Sequence, residues 1–141
     1  MTPSGRETIT ATEEETAAVG RALAARLAPG TTVLLFGELG AGKTAFVRGL
    51  AEGLGIDPGA VSSPTFTIVQ EYRGPALTLQ HVDLYRLSPA EVADLALDDL
   101  LDGPTVMAIE WPERLPGPPP PPVIRVALAH HQDGRRITTE G

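Results

Sequence analysis

The run Gly37-Glu38-Leu39-Gly40-Ala41-Gly42-Lys43-Thr44 satisfies the spacing G-x-x-x-x-G-K-[ST], the pattern of a loop that wraps a polyphosphate. Its residue types explain why. Glycines let the backbone turn tightly and bring several amide N–H groups against phosphate oxygens, where a Cβ would intrude. Lys43 can reach the outer phosphates as a point charge, and the Thr44 hydroxyl can ligate a Mg²⁺ that bridges two of them. Lys43 is also the only lysine in the chain. The competing reading is an ordinary Gly-rich turn before a helix, but at average residue frequencies a chance match is roughly a one-in-a-hundred event for a chain of this length.

A phosphate loop alone holds nucleotide. Hydrolysis also needs an acidic residue at the end of a nearby strand, to hold the metal's water shell or to orient the attacking water. Glu110 follows the apolar run Val106-Met107-Ala108-Ile109, and Asp83 closes another strand-like run; the competing reading for each is a solvated carboxylate at a strand end. Ser62-Ser63-Pro64-Thr65 lies where a switch-like loop can meet a γ-phosphate, or is a simple turn. Trp111, the only tryptophan, is either a packing anchor or a neighbour of the nucleotide. Arg86 and Arg114 are read as surface ion-pair residues. His81, His130 and His131 lack metal-ligand spacing and are read as ordinary surface or strand residues.

These groups need elements to hold them. Thr12 with Glu15 predicts a capped helix start, Val19, Leu23 and Leu27 share one face, and Pro29-Gly30 is the expected stop. Thr32-Val33-Leu34-Leu35-Phe36 reads as a buried parallel strand, and Phe46, Val47, Leu50 and Leu54 carry a helix to Gly55. The phosphate loop therefore falls between strand and helix. Residues 66–72 and 77–84 suggest a hairpin, Ser88-Pro89 with Glu91 opens a helix running to Asp102-Gly103-Pro104, and Val106–Ile109 is a central strand. Pro118 to Pro122 is a stiff surface connector before a closing hairpin of residues 123–129 and 135–139, joined at Asp133-Gly134. The N-terminal ten residues show no apolar run and are given no element.

Composition narrows the classes. At 141 residues the chain suits one domain, residues 1–141. Its 18 acidic against 11 basic side chains, a net charge of −7, would repel a nucleic-acid backbone. Without cysteine there is neither a disulfide framework nor a thiolate metal site. No apolar stretch is long enough to span a bilayer or serve as a signal peptide, so a cytoplasmic protein without a membrane partner is expected. With no asparagine, the N-K-x-D element of GTP switches is absent, which points to ATP. Other functional classes sharing this loop are a small-molecule kinase, for which no lid-like insertion is visible, and a nucleotide-operated binding switch.

Four motifs in order, Gly37 to Thr44, Ser63-Pro64-Thr65-Phe66-Thr67, His81-Val82-Asp83-Leu84-Tyr85-Arg86-Leu87 and Ile109-Glu110-Trp111-Pro112-Glu113-Arg114-Leu115, make the chain resemble the TsaE (YjeE) family of threonylcarbamoyladenosine-biosynthesis ATPases over most of its length. The resemblance implies an α/β fold: a single P-loop NTPase domain with a mainly parallel central sheet, antiparallel hairpin strands and flanking helices. It implies ATP and Mg²⁺ as cofactors, weak hydrolysis in isolation, and TsaB and TsaD as partners, with tRNA met only through the complex. Carried over by position, Thr44 and Glu110 would face Mg²⁺, Asp83 and Thr65 would support hydrolysis, and Trp111 would lie near the nucleotide. Base and sugar would sit between the N-terminal segment and the C-terminal hairpin, at Glu13 and Arg136. The proline-rich connector departs from the family pattern.

Overall fold

In the computed structural model, residues 6–38, 40–62 and 68–141 are described. Seven strands, β1 (Arg6–Thr10), β2 (Thr32–Phe36), β3 (Val69–Arg73), β4 (Thr78–Asp83), β5 (Thr105–Glu110), β6 (Val123–His131) and β7 (Gly134–Glu140), form one sheet in the order β1-β7-β6-β2-β5-β4-β3. β6, β2, β5 and β4 run parallel to one another, while β7 and β3 run against them at the two sides. This is the expected α/β architecture, with β3 and β7 each in a hairpin and β1 added antiparallel to β7.

Burial explains why the central strands read as unbroken apolar runs. Along β2, Val33 and Leu35 face the layer formed by α1 (Glu13–Ala24) and α2 (Lys43–Gly53), while Leu34 faces α3 (Pro89–Ala93) and the 3₁₀ turn Leu97–Leu101. β5 divides in the same way, with Val106 and Ala108 on one side and Met107 and Ile109 on the other. A strand covered on both faces has no solvent side on which to alternate. On the α1/α2 side Phe46 and Leu50 are wholly buried, each contributing about 2 kcal/mol from apolar area removed from water.

Close backbone approach sets the α1/α2 pair. A Cβ added at Gly20 of α1 would meet the backbone of Phe46 and Leu50, and one at Gly49 of α2 would meet the backbone of Ala17. Glycine at both positions lets the helices come nearer than side chains would permit. α1 begins at the expected cap, where the Thr12 hydroxyl accepts from the Glu15 amide at 3.1 Å; the Glu15 carboxylate accepts from the Ala11 amide at 2.7 Å, one residue earlier than a closed capping box would have it.

Several boundaries differ from the sequence expectation. β1 lies where the sequence predicts no element: Arg6-Glu7-Thr8-Ile9-Thr10 buries only Thr10 and owes its strand state to five register pairs with β7. α1 ends at Ala24, short of Pro29, with Arg26 and Leu27 closing tight turns onto the Leu23 and Ala24 carbonyls. The helix expected from Ser88 to Asp102 breaks after Ala93; Ala96 enters the left-handed region at φ 51°, and the chain resumes as the 3₁₀ turn. That break turns Leu97 into the same apolar cluster as Val92. The closing hairpin turns at Gln132-Asp133 rather than at Asp133-Gly134, since Gly134 already pairs with His131.

Candidate functional site

β2 ends at Phe36, and the loop that follows bends through Gly37 (φ 156°), Gly40 (φ 78°) and Gly42 (φ 101°) before α2 starts at Lys43. Gly42 is the N-cap of α2; among the described residues no side chain caps that terminus, and its first turn carries no acidic residue. The positive end of an eleven-residue helix is thus left for an anion. At Gly40 an added Cβ would meet nothing within 4 Å, so its glycine answers to backbone conformation.

Parallel strands β4 and β5 bring the acidic groups to the same end of the sheet. Asp83 and Glu110 are register partners, and with His81 they occupy the α1/α2 face by the two-residue alternation of a strand. Lys43, 5% exposed, donates to the Gly37 carbonyl at 2.6 Å; its Nζ lies 4.0 Å from Glu110 Oε1 and 4.3 Å from the Trp111 ring centroid. Burial lowers the Lys43 pKa, and the neighbouring Glu110, Asp83 and Glu113 charges only partly offset this. Burial raises the Asp83 pKa, against the 3.0 Å hydrogen bond from the Tyr85 amide, and Glu110 adds like-charge repulsion.

Lys43, Thr44, Asp83, Glu110 and Trp111, with Gly40, Gly42 and Glu13, line one cavity of about 410 Å³, a size ordinary for small-molecule sites. Among its oxygen donors, the Thr44 hydroxyl and the Asp83 and Glu110 carboxylates suit a hard divalent cation that completes its shell with phosphate and water. No group of three or more His, Asp or Glu side chains among the described residues forms a metal cage. Gly37, Glu38 and Ala41 shape the loop without lining the cavity. Leu39 and Thr65 lie outside the described residues, as does most of the Ser62–Thr65 loop.

Arg136 does not reach the cavity. It is turned to the outer face, 3.8 Å from Glu7 and donating to His131 Nδ1 at 3.2 Å. Arg135, on the opposite face of β7, lines the cavity instead and donates to the Gly40 carbonyl at 2.9 Å. Strand alternation next to a turn that starts one residue early separates the two arginines. Neither Arg86 nor Arg114 forms an ion pair among the described residues, contrary to expectation. His81, read as an ordinary surface or strand residue, lies in β4 and is wholly buried rather than on the surface, with Nε2 2.7 Å from Glu110 Oε2. Its place two residues before Asp83 was the available signal, since that spacing puts both on one strand face.

The family model described as threonylcarbamoyl adenosine biosynthesis protein TsaE matches residues 10–138. A relative from Nostoc sp., named tRNA threonylcarbamoyladenosine biosynthesis protein TsaE, is 44% identical over 130 residues, spanning 89% of this chain and 79% of its own. The protein of the same name from Bacillus subtilis is 41% identical, spanning 92% and 81%. Among solved structures, Bacillus subtilis YdiB superposes with a TM-score of 0.76 at 34% identity, covering 99% of this chain and 88% of that one.

Proposed function

The chain belongs to the TsaE family, and we propose that it is the Mg²⁺-dependent ATP-binding and ATP-hydrolysing component of tRNA threonylcarbamoyladenosine biosynthesis, working with TsaB and TsaD. The observation that carries this reading is the convergence, in one cavity, of an uncapped helix N-terminus, the buried Lys43 and the carboxylates of Asp83 and Glu110. A cation alone would suit any anion. The added pair of carboxylates favours a ligand that brings a divalent metal, and phosphoryl chemistry in which water must be held in place.

In this reading the α2 N-terminal amides and Lys43 hold the β- and γ-phosphates, while the Thr44 hydroxyl and Glu110 hold Mg²⁺. When bound, the metal neutralises charge on the phosphate oxygens. Lys43 leaves the Gly37 carbonyl for the phosphates. Asp83 and Glu110 are the two groups able to orient the attacking water. Burial raises the Asp83 pKa above its ordinary value. Arg135 bridges hairpin and loop at the edge of the cavity, with Glu13 facing it from α1; this pair replaces Glu13 with Arg136 as the surroundings proposed for base and sugar.

Partners take the remaining work. At a net charge of −7 the chain is a poor tRNA ligand, so tRNA contact and threonylcarbamoyl transfer are assigned to the TsaB–TsaD side. The test is ATP hydrolysis by the purified protein with and without a purified TsaB–TsaD pair. Phosphate release should be slow alone and strongly stimulated by the pair. Absence of interaction would leave only a general ATPase, and stoichiometric phosphorylation of a small acceptor would replace the reading by a kinase.

A further inference from the structure

The Glu110 carboxylate has one hydrogen-bond donor among the described residues, His81 Nε2 at 2.7 Å; Lys43 Nζ, at 4.0 Å from Oε1, is too far to donate. With the carboxylate as acceptor, the hydrogen of this bond is carried by His81. The ring is wholly buried, and its other nitrogen, Nδ1, finds no partner among the described residues. A histidine kept only to fill space would be bettered by an apolar side chain of similar volume, which would leave no orphaned polar atom. The backbone on both sides is already fixed: β4 and β5 are paired in register as far as Asp83 and Glu110, and the Leu84 amide donates to the Glu110 carbonyl at 3.2 Å. What remains free without His81 is the rotation of the Glu110 side chain itself.

We propose that His81 is the positioning residue for Glu110: its Nε2–H holds Oε2 and thereby leaves Oε1 turned towards Lys43 and the phosphate cavity. This rests on the nucleotide reading given above. His81 touches neither substrate nor metal in this arrangement and acts only through the carboxylate. Glutamate has several rotatable bonds, and a carboxylate that samples them spends little time where a metal or water can use it. The ring's rigidity, and its anchorage inside β4, suit it to this role better than a flexible donor would.

The test uses two substitutions with opposite expectations. His81→Leu keeps the volume and removes the donor; His81→Gln places an amide nitrogen near the position of Nε2. Turnover is measured with the TsaB–TsaD pair, and ATP affinity by calorimetry in saturating Mg²⁺. Positioning predicts that His81→Leu lowers kcat about ten- to hundred-fold, as loss of a partner to a ligating group commonly does, with ATP affinity changed by less than about three-fold, and that His81→Gln recovers most of kcat. Pure packing predicts the reverse order, with the leucine protein the more active and the buried amide the worse. A leucine variant at wild-type kcat, or a glutamine variant no better than leucine, overturns the proposal. A second readout needs no nucleotide: ¹H–¹⁵N correlation of the imidazole in the free protein should show a protonated Nε2 whose hydrogen is slow to exchange, and faster exchange in Glu110→Ala. A bare Nε2 overturns the proposal whatever the activity. If the wild-type protein gives no heat with Mg-ATP, the nucleotide reading falls and takes the role of His81 with it. That outcome is distinct from normal wild-type binding alongside an indifferent His81→Leu.

Discussion

Replacing Gly49 by alanine tests whether α1 is seated directly on the backbone of α2. The new Cβ would lie 1.8 Å from the Ala17 carbonyl oxygen, 2.5 Å from its carbon and 2.7 Å from Cα. All three atoms are backbone, so no side-chain rotation relieves the overlap, and α1 must retreat by about 1.6 Å to reach the 3.4 Å at which ordinary contact begins. Two effects oppose each other. Alanine in a helix interior is favoured over glycine by about 1 kcal/mol, whereas overpacking typically costs about 1–3 kcal/mol and more when backbone must move. A displaced α1 also loosens Leu23 and Ala24 from the core they share with Phe46 and Leu50, so the clash outweighs the propensity gain. The expected net loss is about 2 kcal/mol, or roughly 6–10 °C in Tm for a domain of this size. Urea denaturation should show a lower midpoint with an unchanged slope. Gly117→Ala is the control: a Cβ there meets nothing within 4 Å, and stability should stay within about 0.5 kcal/mol. A Gly49→Ala protein as stable as the wild type would refute the close helix contact. Because α1 carries Glu13 and α2 begins with Lys43, that result would also undo the account of how the cavity is framed.

Three further outcomes are expected. Lys43→Ala should abolish the heat of ATP binding in calorimetry, whereas Glu110→Ala and Asp83→Ala should lower turnover by more than affinity; undiminished hydrolysis in all three would remove their assignments. Asp83 has a folded-state pKa above its ordinary 3.8, so the stability it contributes is fully present below that value and is lost as pH rises through the raised folded value. Asp83→Asn should therefore gain thermal stability over the wild type as pH rises above that window and lose this advantage below pH 3.8; a difference that does not vary with pH would contradict the burial of Asp83. Trp111, with Lys43 over its ring at 4.3 Å, should change fluorescence when ATP draws the ammonium away. An unresponsive indole would place the nucleotide elsewhere.

How much of this was legible depends on how local each cause is. β2, the phosphate loop and α2 could be read because pattern, flanking apolar runs and glycines all lie within a short stretch of chain and agree. β5 and Glu110 were legible for the same reason. β1 was not, since nothing within Arg6–Thr10 demands a strand and its pairing partner, β7, lies at the other end of the chain. The break after α3 leaves no mark in the sequence, because Val92, Leu95 and Leu100 approximate a helical face whether or not the backbone turns at Ala96. His81 and Arg135 show a third kind of failure. Their residue types were visible, but which of two neighbouring positions faces the cavity is decided by strand register, and a slip of one residue exchanges the faces. Arg136, carried over from the resemblance, lies on the face of β7 away from the cavity, and Arg135 lies on the cavity side.

The state of Lys43 links the fold to the proposed chemistry. An ammonium at 5% exposure has lost most of its water, and its lowered pKa says that Glu110, Asp83 and Glu113 do not restore what burial removes. The Gly37 carbonyl and the Trp111 face supply the remaining contacts, and both are weaker partners than a phosphate oxygen. A triphosphate entering the cavity would bring the negative charge this environment lacks, without new exposure of the lysine and without rebuilding the helix N-terminus that awaits it. In the proposed reading, such a ligand would find the ammonium already held at the cavity. The same shortfall explains why Glu110 must be held away from full contact. A carboxylate free to close on Lys43 would satisfy it and leave less for the ligand, and in the proposed arrangement the bond from His81 to Oε2 opposes that closure.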